Sequence, residues 1–384
     1  MPYSYDVAVV GAGIVGLGAA LAAAAQGRKV VVIERNPAAV GASIRNFGFV
    51  TVTGQQAGAH WARAMRSRDI WKDLVVQAGI AVHHRGLVMP ARRAEAAAVL
   101  EAFLATPTGE DCRMIGKAEA LDIVPSLRLD GIEAILHSPH ELRVESREAV
   151  AKVAAHLENA YGVDFLWGTA ARAVSDHGVE TSRGMVSADA VVVCPGDDYS
   201  GLYPERIAAY GLDVCTLQML RVAPATPATL GAAVMSDLSL ARYEGFSALP
   251  EAQALGARLD LEDAEKRAAG IHLIAVQSAD GSLVVGDTHV YGNAPAPFSS
   301  ARFDDLMLDE FDRVFDMPGR KVIERWTGSY AHAADRTVLV DAPQPNVRLV
   351  IVTGGTGAST AFALGEEVIA DLYGSAHSQH GVLS

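Results

Sequence analysis

The sequence predicts an α/β fold in which an α/β unit with a parallel sheet is joined to a second, α+β domain with a mixed, largely antiparallel sheet. Three observations support this prediction. The chain opens with an apolar strand, a glycine-rich turn and a helix; short apolar strands dominate its middle; and another strand, glycine turn and helix close it. A chain that begins and ends with such units is expected to return to its first domain, so that the middle forms the second.

Composition is typical of a globular protein with two domains. The chain has 384 residues, of which 50% are apolar and 20% charged, and this length exceeds that of one typical core. The net charge of −13 and the lack of a basic stripe argue against a nucleic-acid partner. Cys112, Cys194 and Cys215 are scattered and form no CxxC pair. Neither a metal site nor a disulfide framework is expected, and a reducing, cytoplasmic compartment fits best.

The run from Val7 to Ala25 carries no charge and is long enough to suggest a membrane span or a signal peptide. The preceding residues, MPYSYD, contain an acid and no Lys or Arg, and glycines interrupt the run, which does not fit a signal peptide. A buried strand, a turn and a buried helix account for the run better, because helices cover both faces of a parallel sheet. No membrane span is therefore predicted.

Residues 5–34 have the pattern of a β-α-β unit. YDVAVV at 5–10 and KVVVIE at 29–34 are apolar enough for buried strands, and the small residues at 14–26 form the helix between them. Two parallel strands need such a crossover helix, because a tight turn cannot join them.

The turn GAGIVG at 11–16 has the glycine spacing of a dinucleotide-binding site. Gly11 permits a tight turn with positive φ, Gly13 lets a pyrophosphate approach the backbone, and Gly16 allows the helix to pack closely on the strand. Glu34 ends the second strand, where a carboxylate accepts hydrogen bonds from ribose hydroxyls. The same carboxylate repels a 2′-phosphate, so NADP is disfavoured although Arg35 follows directly, and NAD and FAD both remain.

Two glycine-rich segments favour a resident flavin over NAD. Residues 41–50 (GASIRNFGFV) follow the second strand, where an NAD-binding domain usually continues into a helix, and they suit a backbone that runs close to a ligand. Near the end of the chain, Gly354, Gly355 and Gly357 precede another helix. The amino terminus of that helix could face the flavin pyrimidine, where negative charge develops on reduction.

With these segments in view, the chain resembles the FAD-dependent oxidoreductases that include D-amino-acid oxidase, glycine oxidase and sarcosine oxidase. The resemblance covers nearly the whole chain and rests on the order and spacing of five landmarks. They are VAVVGAGIVG with Glu34, GASIRNFG, GTAARAV followed by ADAVVVCPG, RWTGSYAHAADRTVLV, and VTGGTGASTAFALGEEVI. The resemblance implies a Rossmann-like FAD-binding domain of the glutathione-reductase type and a substrate-binding domain.

The implied domains are discontinuous. Residues 1–80, 140–213 and 325–384 are expected to form the FAD-binding domain, and residues 81–139 and 214–324 the substrate-binding domain. This division returns the closing strand and helix to the first domain.

By position, the resemblance also implies which residues contact FAD. In sarcosine oxidase a cysteine binds the flavin covalently, but no cysteine follows Cys215 here, so the implied FAD is non-covalent. The implied contacts are Gly11, Gly13, Gly16, Glu34, Arg35, Ser43, Arg45, Asn46, Gly48, Ala171, Gly196, Gly355, Thr356, Gly357 and Ser359.

The sequence departs from the family where substrate and oxygen are handled. Glycine oxidase and D-amino-acid oxidase bind the substrate carboxylate with an arginine after a Trp-Gly turn, whereas TGSYAHAAD has Tyr330 or a neighbour there. Sarcosine oxidase activates oxygen with a lysine, whereas the corresponding strand SLVVGDTHV has Val284 and Val285. The electron acceptor therefore stays open between O2 and another acceptor, and an α-amino acid is not the favoured substrate.

The segments GASIRNFG, GDTH and SYAHAAD are most similar to a bacterial branch of the family associated with aminophosphonate breakdown. The resemblance implies FAD-dependent oxidation of a small amine, by deamination or N-demethylation, with hydride transfer to flavin N5. The implied substrate is an aminophosphonate such as 2-aminoethylphosphonate or its N-methyl derivative. The alternative is an FAD-dependent dehydrogenase of an amino acid or a 2-hydroxy acid that passes electrons to an acceptor other than oxygen.

Four residues are the candidates for contact with the substrate or the reacting atoms, namely Tyr330, His332, Arg45 and His289. Tyr330 and His332 lie two apart on a predicted strand, so their side chains face one side. A phosphonate needs cationic donors, best as an arginine fork. The sequence does not choose among the possible anion-binding residues, which are Arg45, Arg221, Arg242, His289 and His332.

Overall fold

The computed structural model describes residues 4–374. The strands of this part of the chain, numbered in order, are β1 Ser4–Val10, β2 Val30–Glu34, β3 Phe49–Val50, β4 Val82–Ala91, β5 Arg113–Met114, β6 Ala134–Val144, β7 Asp164–Trp167, β8 Ala171–Ser175, β9 Gly178–Thr181, β10 Gly184–Val193, β11 Asp213–Ala223, β12 Ala233–Met235, β13 Ile274–Gln277, β14 Leu283–Gly286, β15 Val290–Gly292, β16 Lys321–His332, β17 Val338–Gln344 and β18 Val347–Val352. The α-helices are α1 Ile14–Ala25, α2 Ala59–Gln77, α3 Ala94–Leu104, α4 Lys117–Ile123, α5 Ser146–Tyr161, α6 Pro204–Ala208, α7 Glu244–Ser247, α8 Ala252–Glu262, α9 Ala264–Ala268, α10 Ala301–Val314 and α11 Gly357–Tyr373.

The first sheet has eight strands and is mostly parallel. Its main path has the order β17-β18-β10-β1-β2-β7, and β1 pairs in parallel with both β2 and β10. Val7 and Val9 belong to one apolar cluster, whereas Ala8 between them belongs to another. Both faces of β1 are therefore buried, which explains why its sequence is continuously apolar rather than alternating.

The second sheet has ten strands and is largely antiparallel. Its main path has the order β15-β11-β14-β13-β12-β4-β6-β3; in addition β16 pairs with β11, and β5 pairs with β6. The pair β4 and β12 is parallel, whereas β16 runs antiparallel to β11 along its whole length. The parallel first sheet and the mixed second sheet confirm the predicted fold class.

The uncharged run from Val7 to Ala25 folds as the end of β1, a glycine turn and α1. Residues of both elements lie in the same apolar cluster, where Leu17 and Ala20 of α1 are fully buried. Of the helices within residues 4–374, none combines the length and the hydropathy that a membrane span requires.

The first and last helices, α1 and α11, pack directly against each other. A Cβ on Gly18 would lie 2.4 Å from the carbonyl oxygen of Ala361, and a Cβ on Gly365 would lie 2.3 Å from the carbonyl oxygen of Gly18. Glycine is required at both positions because a side-chain carbon would overlap with the backbone of the other helix. This contact joins the two glycine-rich segments of the sequence into one layer.

Two elements differ from the pattern expected from sequence. Strand β6 was not predicted, because polar residues such as Ser138, Glu141 and Arg143 interrupt its apolar pattern; all three are buried within the protein. The strand expected at 282–291 is two strands, β14 and β15. Between them the chain leaves the sheet at residues 287–289, which lie beside the cleft described below.

The predicted domain boundaries remain a prediction. Strands β6 and β16 run without a break across the boundaries proposed at residues 140 and 325. The first and last predicted ranges also include residues 1–3 and 375–384, which lie outside the described residues.

Candidate active site

A cleft of about 690 Å³ lies where the parallel strands of the first sheet end. Gly11, Arg35, Cys194 and Thr353 line it, and each directly follows the carboxyl end of β1, β2, β10 or β18. Ligands of α/β proteins bind at this edge of the sheet. We call the part of the lining that comes from the first sheet and its helices the glycine-rich wall, which comprises Gly11, Gly13, Gly16, Glu34, Gly355 and Gly357.

The second sheet and the loops beside it line the other part of the cleft. Its ionisable residues come from distant segments of the chain, between residues 242 and 332. We call this part the histidine wall, which comprises Arg242, His272, Asp287, His289, Tyr291, Tyr330 and His332.

The glycine turn has the geometry that its spacing predicts. Gly11 has φ of +103°, and a Cβ there would lie 2.5 Å from the carbonyl oxygen of Cys194. A Cβ on Gly16 would lie 1.9 Å from the carbonyl oxygen of Gly11. Gly13 is less crowded, since its nearest neighbour would be Ser43 Oγ at 3.1 Å. Gly11 and Gly16 thus shape the turn, while Gly13 lets a ligand approach the backbone.

The carboxylate of Glu34 is held in one orientation on the glycine-rich wall. Its Oε2 accepts a hydrogen bond of 3.0 Å from the backbone N–H of Ala12. Its Oε1 accepts from the backbone N–H of Asn36 at 2.9 Å and from Asn36 Nδ2 at 3.0 Å. An ionised carboxylate has acceptor positions beyond these three, so Glu34 can also accept hydrogen bonds from a ribose.

Helices α1 and α11 begin side by side at the cleft. Gly13 is the N-cap of α1 and Thr356 that of α11, and neither helix has a side-chain hydrogen bond at its N-cap. A Cβ on Gly357 would lie 3.4 Å from Ile14 Cγ2, which shows how close the two helix starts are. Unpaired N–H groups and the positive ends of two helix dipoles therefore meet where a pyrophosphate would be stabilised.

The segment 42–48 crosses the cleft and is fixed by its own hydrogen bonds. Ser43 Oγ accepts from the N–H of Ile14 at 2.9 Å, and Asn46 Oδ1 accepts from the N–H of Gly48 at 2.7 Å. The carbonyl of Arg45 accepts from Trp326 Nε1 at 3.0 Å, and the Arg45 side chain is exposed at the cleft. Gly48 does not line the cleft, because it packs against the second sheet, where a Cβ would lie 1.8 Å from the carbonyl oxygen of Val144.

Arg242 is a partly buried arginine on the histidine wall. Its Nη2 donates a hydrogen bond of 2.8 Å to the hydroxyl of Tyr291. No aspartate or glutamate within residues 4–374 forms an ion pair with it. Burial opposes its charge, but the electrostatic effects of Tyr291, Tyr330 and Asp287 raise the pKa of Arg242. The guanidinium is therefore a cation that faces the cleft without a carboxylate partner.

Asp287 lies between two histidines on the same wall. Its Oδ1 is 3.0 Å from His272 Nε2, and its Oδ2 is 3.7 Å from His289 Nε2. Burial tends to raise the pKa of Asp287, but His289, His272 and Arg242 outweigh burial and lower it. Burial lowers the pKa of His272 and lowers that of His289 to about 3. Near neutral pH the cluster is therefore a carboxylate with two uncharged imidazoles.

The two walls meet at Tyr330. A Cβ on Gly355 would lie 2.9 Å from Tyr330 Cζ, so the glycine permits the tyrosine ring to pack on the backbone before α11. The rings of Tyr291 and His332 lie 4.3 Å apart, and those of His289 and Tyr330 lie 6.4 Å apart. Burial raises the pKa of Tyr330 and lowers that of His332, so both side chains are uncharged near neutral pH.

Unsatisfied polar atoms indicate that the cleft is built around a ligand. Among residues 4–374, Thr356 Oγ1 and His332 Nδ1 are buried without a hydrogen-bond partner, and their residues line the cleft. Such atoms are costly unless a ligand or water satisfies them. The paired helix starts suit a pyrophosphate, Glu34 suits a ribose, and the volume suits a large ligand. The residues present therefore fit an FAD.

Most of the residues singled out from the sequence lie together in this cleft. All four substrate-site candidates line it, and among the predicted FAD contacts Gly48 is the one that does not. Arg35 lies at the rim and forms an ion pair with Asp198. Ser359 lines the cleft while its Oγ accepts from the N–H of Thr51 at 3.0 Å. The cleft-lining candidates are Tyr330, His332, Arg45, His289, Gly11, Gly13, Gly16, Glu34, Arg35, Ser43, Asn46, Ala171, Gly196, Gly355, Thr356, Gly357 and Ser359.

The structure also reduces the number of anion-binding candidates, and it adds two residues to the candidate site. Arg221 is outside the cleft lining and is engaged with Asp280 and Ser282. Asp287 and His272 were not singled out from the sequence. Asp287 could have been found, because it lies two residues before His289 in GDTH and an extended chain directs both side chains to one side. His272 is distant in sequence, and no local pattern connects it with Asp287.

A protein-family model and several solved structures match this chain. The family model, described as FAD dependent oxidoreductase (DAO), matches residues 6–372. No curated protein has a significantly similar sequence.

Three structural neighbours illustrate the likeness. Glycine oxidase from Geobacillus kaustophilus has 19% identity and a TM-score of 0.75, with 96% of this chain and 94% of that chain covered. L-proline dehydrogenase from P. horikoshii has 20% identity and a TM-score of 0.76, with 96% and 93% covered. Iminodiacetate oxidase from Chelativorans sp. BNC1 has 20% identity and a TM-score of 0.70, with 95% of each chain covered. At these identities the likeness shows a common fold.

Proposed function

The chain belongs to the DAO family of FAD dependent oxidoreductases, and we propose that it oxidises a small amine that also carries an anionic group. The single observation that supports this most is Arg242, a cation on the cleft wall that donates to a tyrosine hydroxyl and, within residues 4–374, forms no ion pair, although Asp287 influences it at longer range. A buried or partly buried charge without a partner is unfavourable. An anionic substrate would supply the missing partner.

An aminophosphonate is the substrate we favour, with 2-aminoethylphosphonate or its N-methyl derivative as the specific candidates. Because Arg242 donates to the Tyr291 oxygen, the tyrosine hydroxyl hydrogen can turn to a ligand oxygen, which is a stronger acceptor than the Cys215 sulfur beside it. Two guanidinium N–H groups and one phenol O–H would together match the three oxygens of a phosphonate better than the two of a carboxylate. Arg45 also faces the cleft, but it is exposed, so solvent would weaken its attraction for an anion.

Similar proteins support an amine as the electron donor. Glycine oxidase and iminodiacetate oxidase, two structural neighbours, are named for substrates that contain an amine nitrogen. L-proline dehydrogenase, another neighbour, is named as a dehydrogenase, and Val284 and Val285 of this chain offer no cation for oxygen activation. We therefore leave both O2 and another acceptor as outcomes of the test below.

FAD would be held by the glycine-rich wall and would supply hydride acceptance from the carbon next to nitrogen. The protein residues would then set position and charge. Arg242 and Tyr291 would bind the substrate anion, and Tyr330 would fill the space between that anion and Gly355. Because Tyr330 and His332 are uncharged, they would line the substrate without adding positive charge near its amine.

Anaerobic titration of the purified flavoprotein tests this function. 2-Aminoethylphosphonate, N-methyl-2-aminoethylphosphonate, glycine, sarcosine and lactate are added separately, and bleaching of the flavin absorbance is followed. We expect the two aminophosphonates to bleach it at the lowest concentrations and to give an aldehyde with ammonia or methylamine. Readmission of air then distinguishes acceptors, since rapid recolouring with peroxide indicates O2. Bleaching by lactate alone would contradict the proposal and favour a 2-hydroxy acid dehydrogenase.

A further inference from the structure

Within the cluster of His272, Asp287 and His289, the last two residues present hydrogen-bond acceptors to the cleft. The neighbouring groups determine where the imidazole protons lie. Each histidine has one nitrogen turned away from Asp287 and one turned towards it.

His289 carries its proton on Nδ1. That nitrogen is 2.9 Å from the carbonyl oxygen of Gly270, and a carbonyl oxygen can only accept. The uncharged ring therefore has a bare Nε2, and this nitrogen is the one 3.7 Å from Asp287 Oδ2. A lone pair faces a carboxylate oxygen across a gap too long for a hydrogen bond.

His272 lies on the other side of Asp287. Its Nε2 is 3.0 Å from Asp287 Oδ1, which is a hydrogen-bond distance, so Nε2 carries the proton and donates it to the carboxylate. His272 therefore holds Asp287 in place and leaves Oδ2 of Asp287 to face the cleft and His289.

Asp287 is about 5% exposed, and His272 and His289 are 3% and 7% exposed, so bulk water does not satisfy these three groups. Their facing nitrogen and oxygen atoms all lie within 4.8 Å of one another. The approach of His289 Nε2 to Asp287 Oδ2 is unfavourable by itself, since a lone pair and a carboxylate face each other without a proton between them. A small group with two N–H donors would satisfy both acceptors at once.

We propose that Asp287 and His289 form the subsite for the amino group of the substrate, with the N–H hydrogens donated to the Asp287 carboxylate and to His289 Nε2, while His272 orients the carboxylate. This inference rests on the proposed function and deepens it: the substrate is a zwitterion whose anion contacts Arg242 and whose nitrogen contacts Asp287. The aromatic rings of Tyr243 and Tyr330 beside the two histidines add faces that attract a cation.

The charge of the wall favours an amine over a divalent metal ion. Arg242 is close enough to influence Asp287 electrostatically, and the two charges offset each other while both histidines are neutral. A zwitterion adds a cation for Asp287 together with an anion for Arg242. A divalent ion would instead leave two uncompensated positive charges in a buried region.

A matched pair of ligands tests the subsite. 2-Aminoethylphosphonate contains the amine, and ethylphosphonate has the same anion without it. The affinity for 2-aminoethylphosphonate is taken from the concentration dependence of the rate of anaerobic flavin bleaching. The affinity for ethylphosphonate is taken from its competitive inhibition of that bleaching. In wild type we expect 2-aminoethylphosphonate to bind about 100-fold more tightly than ethylphosphonate. We call this ratio of affinities the amine advantage. In Asp287→Asn the advantage should fall at least about tenfold, while the inhibition constant of ethylphosphonate changes by less than about threefold.

A second variant keeps the test informative if Asp287→Asn does not fold. His289→Asn retains a donor in place of Nδ1 for Gly270 but removes Nε2, so it should reduce the same advantage. His84→Asn is its control, because His84 is a buried histidine outside the cleft lining, and it should leave the advantage unchanged.

Each result has a definite meaning. Bleaching of wild type with an unchanged amine advantage in both variants overturns the subsite and leaves the proposed function standing. Equal loss of both ligands in Asp287→Asn overturns the subsite as well. A stoichiometric divalent metal in wild type that Asp287→Asn lacks shows a metal site instead. A wild-type flavin that no amine bleaches overturns both proposals.

Discussion

The glycine-rich wall and the histidine wall differ in what fixes their geometry. On the glycine-rich wall, the backbone fixes the geometry: Gly11 has a positive φ and no room for a Cβ, and the starts of α1 and α11 are adjacent. On the histidine wall, side chains fix the geometry: Arg242 comes from one segment and Asp287 and His289 from another, and hydrogen bonds and burial orient them. Backbone geometry is encoded locally, whereas a side-chain cluster exists only after the sheet has formed.

This difference has a functional consequence. A wall built from N–H groups and helix ends recognises phosphates and tolerates little change, which suits a cofactor shared by a whole family. A wall built from side chains can be altered residue by residue, which suits recognition of one substrate class. Changes to the first wall should therefore abolish cofactor binding, and changes to the second should alter substrate binding in a protein that still contains FAD.

The largest expected effect comes from Gly11→Ala. The new Cβ would lie 2.5 Å from the carbonyl oxygen of Cys194, so the turn must move and the phosphate-binding N–H groups move with it. We expect the purified variant to contain less than about a tenth of the wild-type flavin, measured from its visible absorbance.

Gly27→Ala is the matched control for Gly11→Ala. Gly27 also has a positive φ, of +75°, but a Cβ there would meet nothing within 4 Å. We expect a loss of about 1 kcal/mol in stability from the backbone alone and a normal flavin content. Equal flavin contents in the two variants would contradict the role given to the close contact.

Arg242→Met should have the next largest effect, and it should act on the other wall. Loss of the guanidinium removes the proposed partner of the substrate anion, so kcat/KM for 2-aminoethylphosphonate should fall about 100-fold or more. The flavin absorbance should be unchanged. Arg221→Met is the control, because Arg221 pairs with Asp280 outside the cleft. If the two variants lose activity equally, Arg242 is not the anion-binding residue.

Glu34→Gln tests one side chain of the glycine-rich wall. The amide keeps one acceptor oxygen and turns its NH2 group towards the backbone N–H of Ala12 or Asn36, from which the carboxylate accepts. The amide is a weaker acceptor than a carboxylate for ribose hydroxyls, and we expect the Kd of FAD to rise about tenfold. Titration of FAD into the apoprotein, followed by flavin fluorescence, measures this change. Under saturating FAD the turnover rate should equal that of wild type, and a large fall in that rate would argue against a purely cofactor-binding role.

The smallest expected effect concerns stability at acid pH. Burial and Arg63 lower the pKa of His60 to about 4, below its value near 6.5 in an unfolded chain. Between these values the unfolded state binds a proton that the folded state does not, so stability falls as the pH decreases from 6.5 to 4. We expect His60→Gln to reduce the accompanying drop in Tm by on the order of 5 °C, and an unchanged drop would show that His60 does not contribute.

The sequence was sufficient to predict the glycine-rich wall. The spacing of Gly11, Gly13 and Gly16 after an apolar strand, with Glu34 at the end of the next one, depends only on local backbone requirements. The closing helix was found in the same way, because Gly355 and Gly357 precede it directly. Gly48 shows the limit of position-based inference, since its positive φ serves packing against Val144 and not the cleft.

The histidine wall could be predicted only in part. His289, Tyr330 and His332 were found because they stand near recognisable segments, and Arg242 remained one of several possible cations. Its selection needed the ion pair of Arg221 with Asp280, which is known only from the fold. His272 and Asp287 meet because β13 and β14 pair, so the cluster results from strand register and from the hydrogen bond that His289 Nδ1 donates to Gly270.

The most direct measurement compares a zwitterion with its two halves. Wild-type flavoprotein is titrated anaerobically with 2-aminoethylphosphonate, with ethylamine, and with ethylamine in the presence of ethylphosphonate. We expect complete bleaching by 2-aminoethylphosphonate at concentrations at least about 100-fold lower than those at which ethylamine has any effect. Ethylamine that bleaches the flavin as readily as 2-aminoethylphosphonate would contradict the claim that the histidine wall selects a substrate by both of its charges.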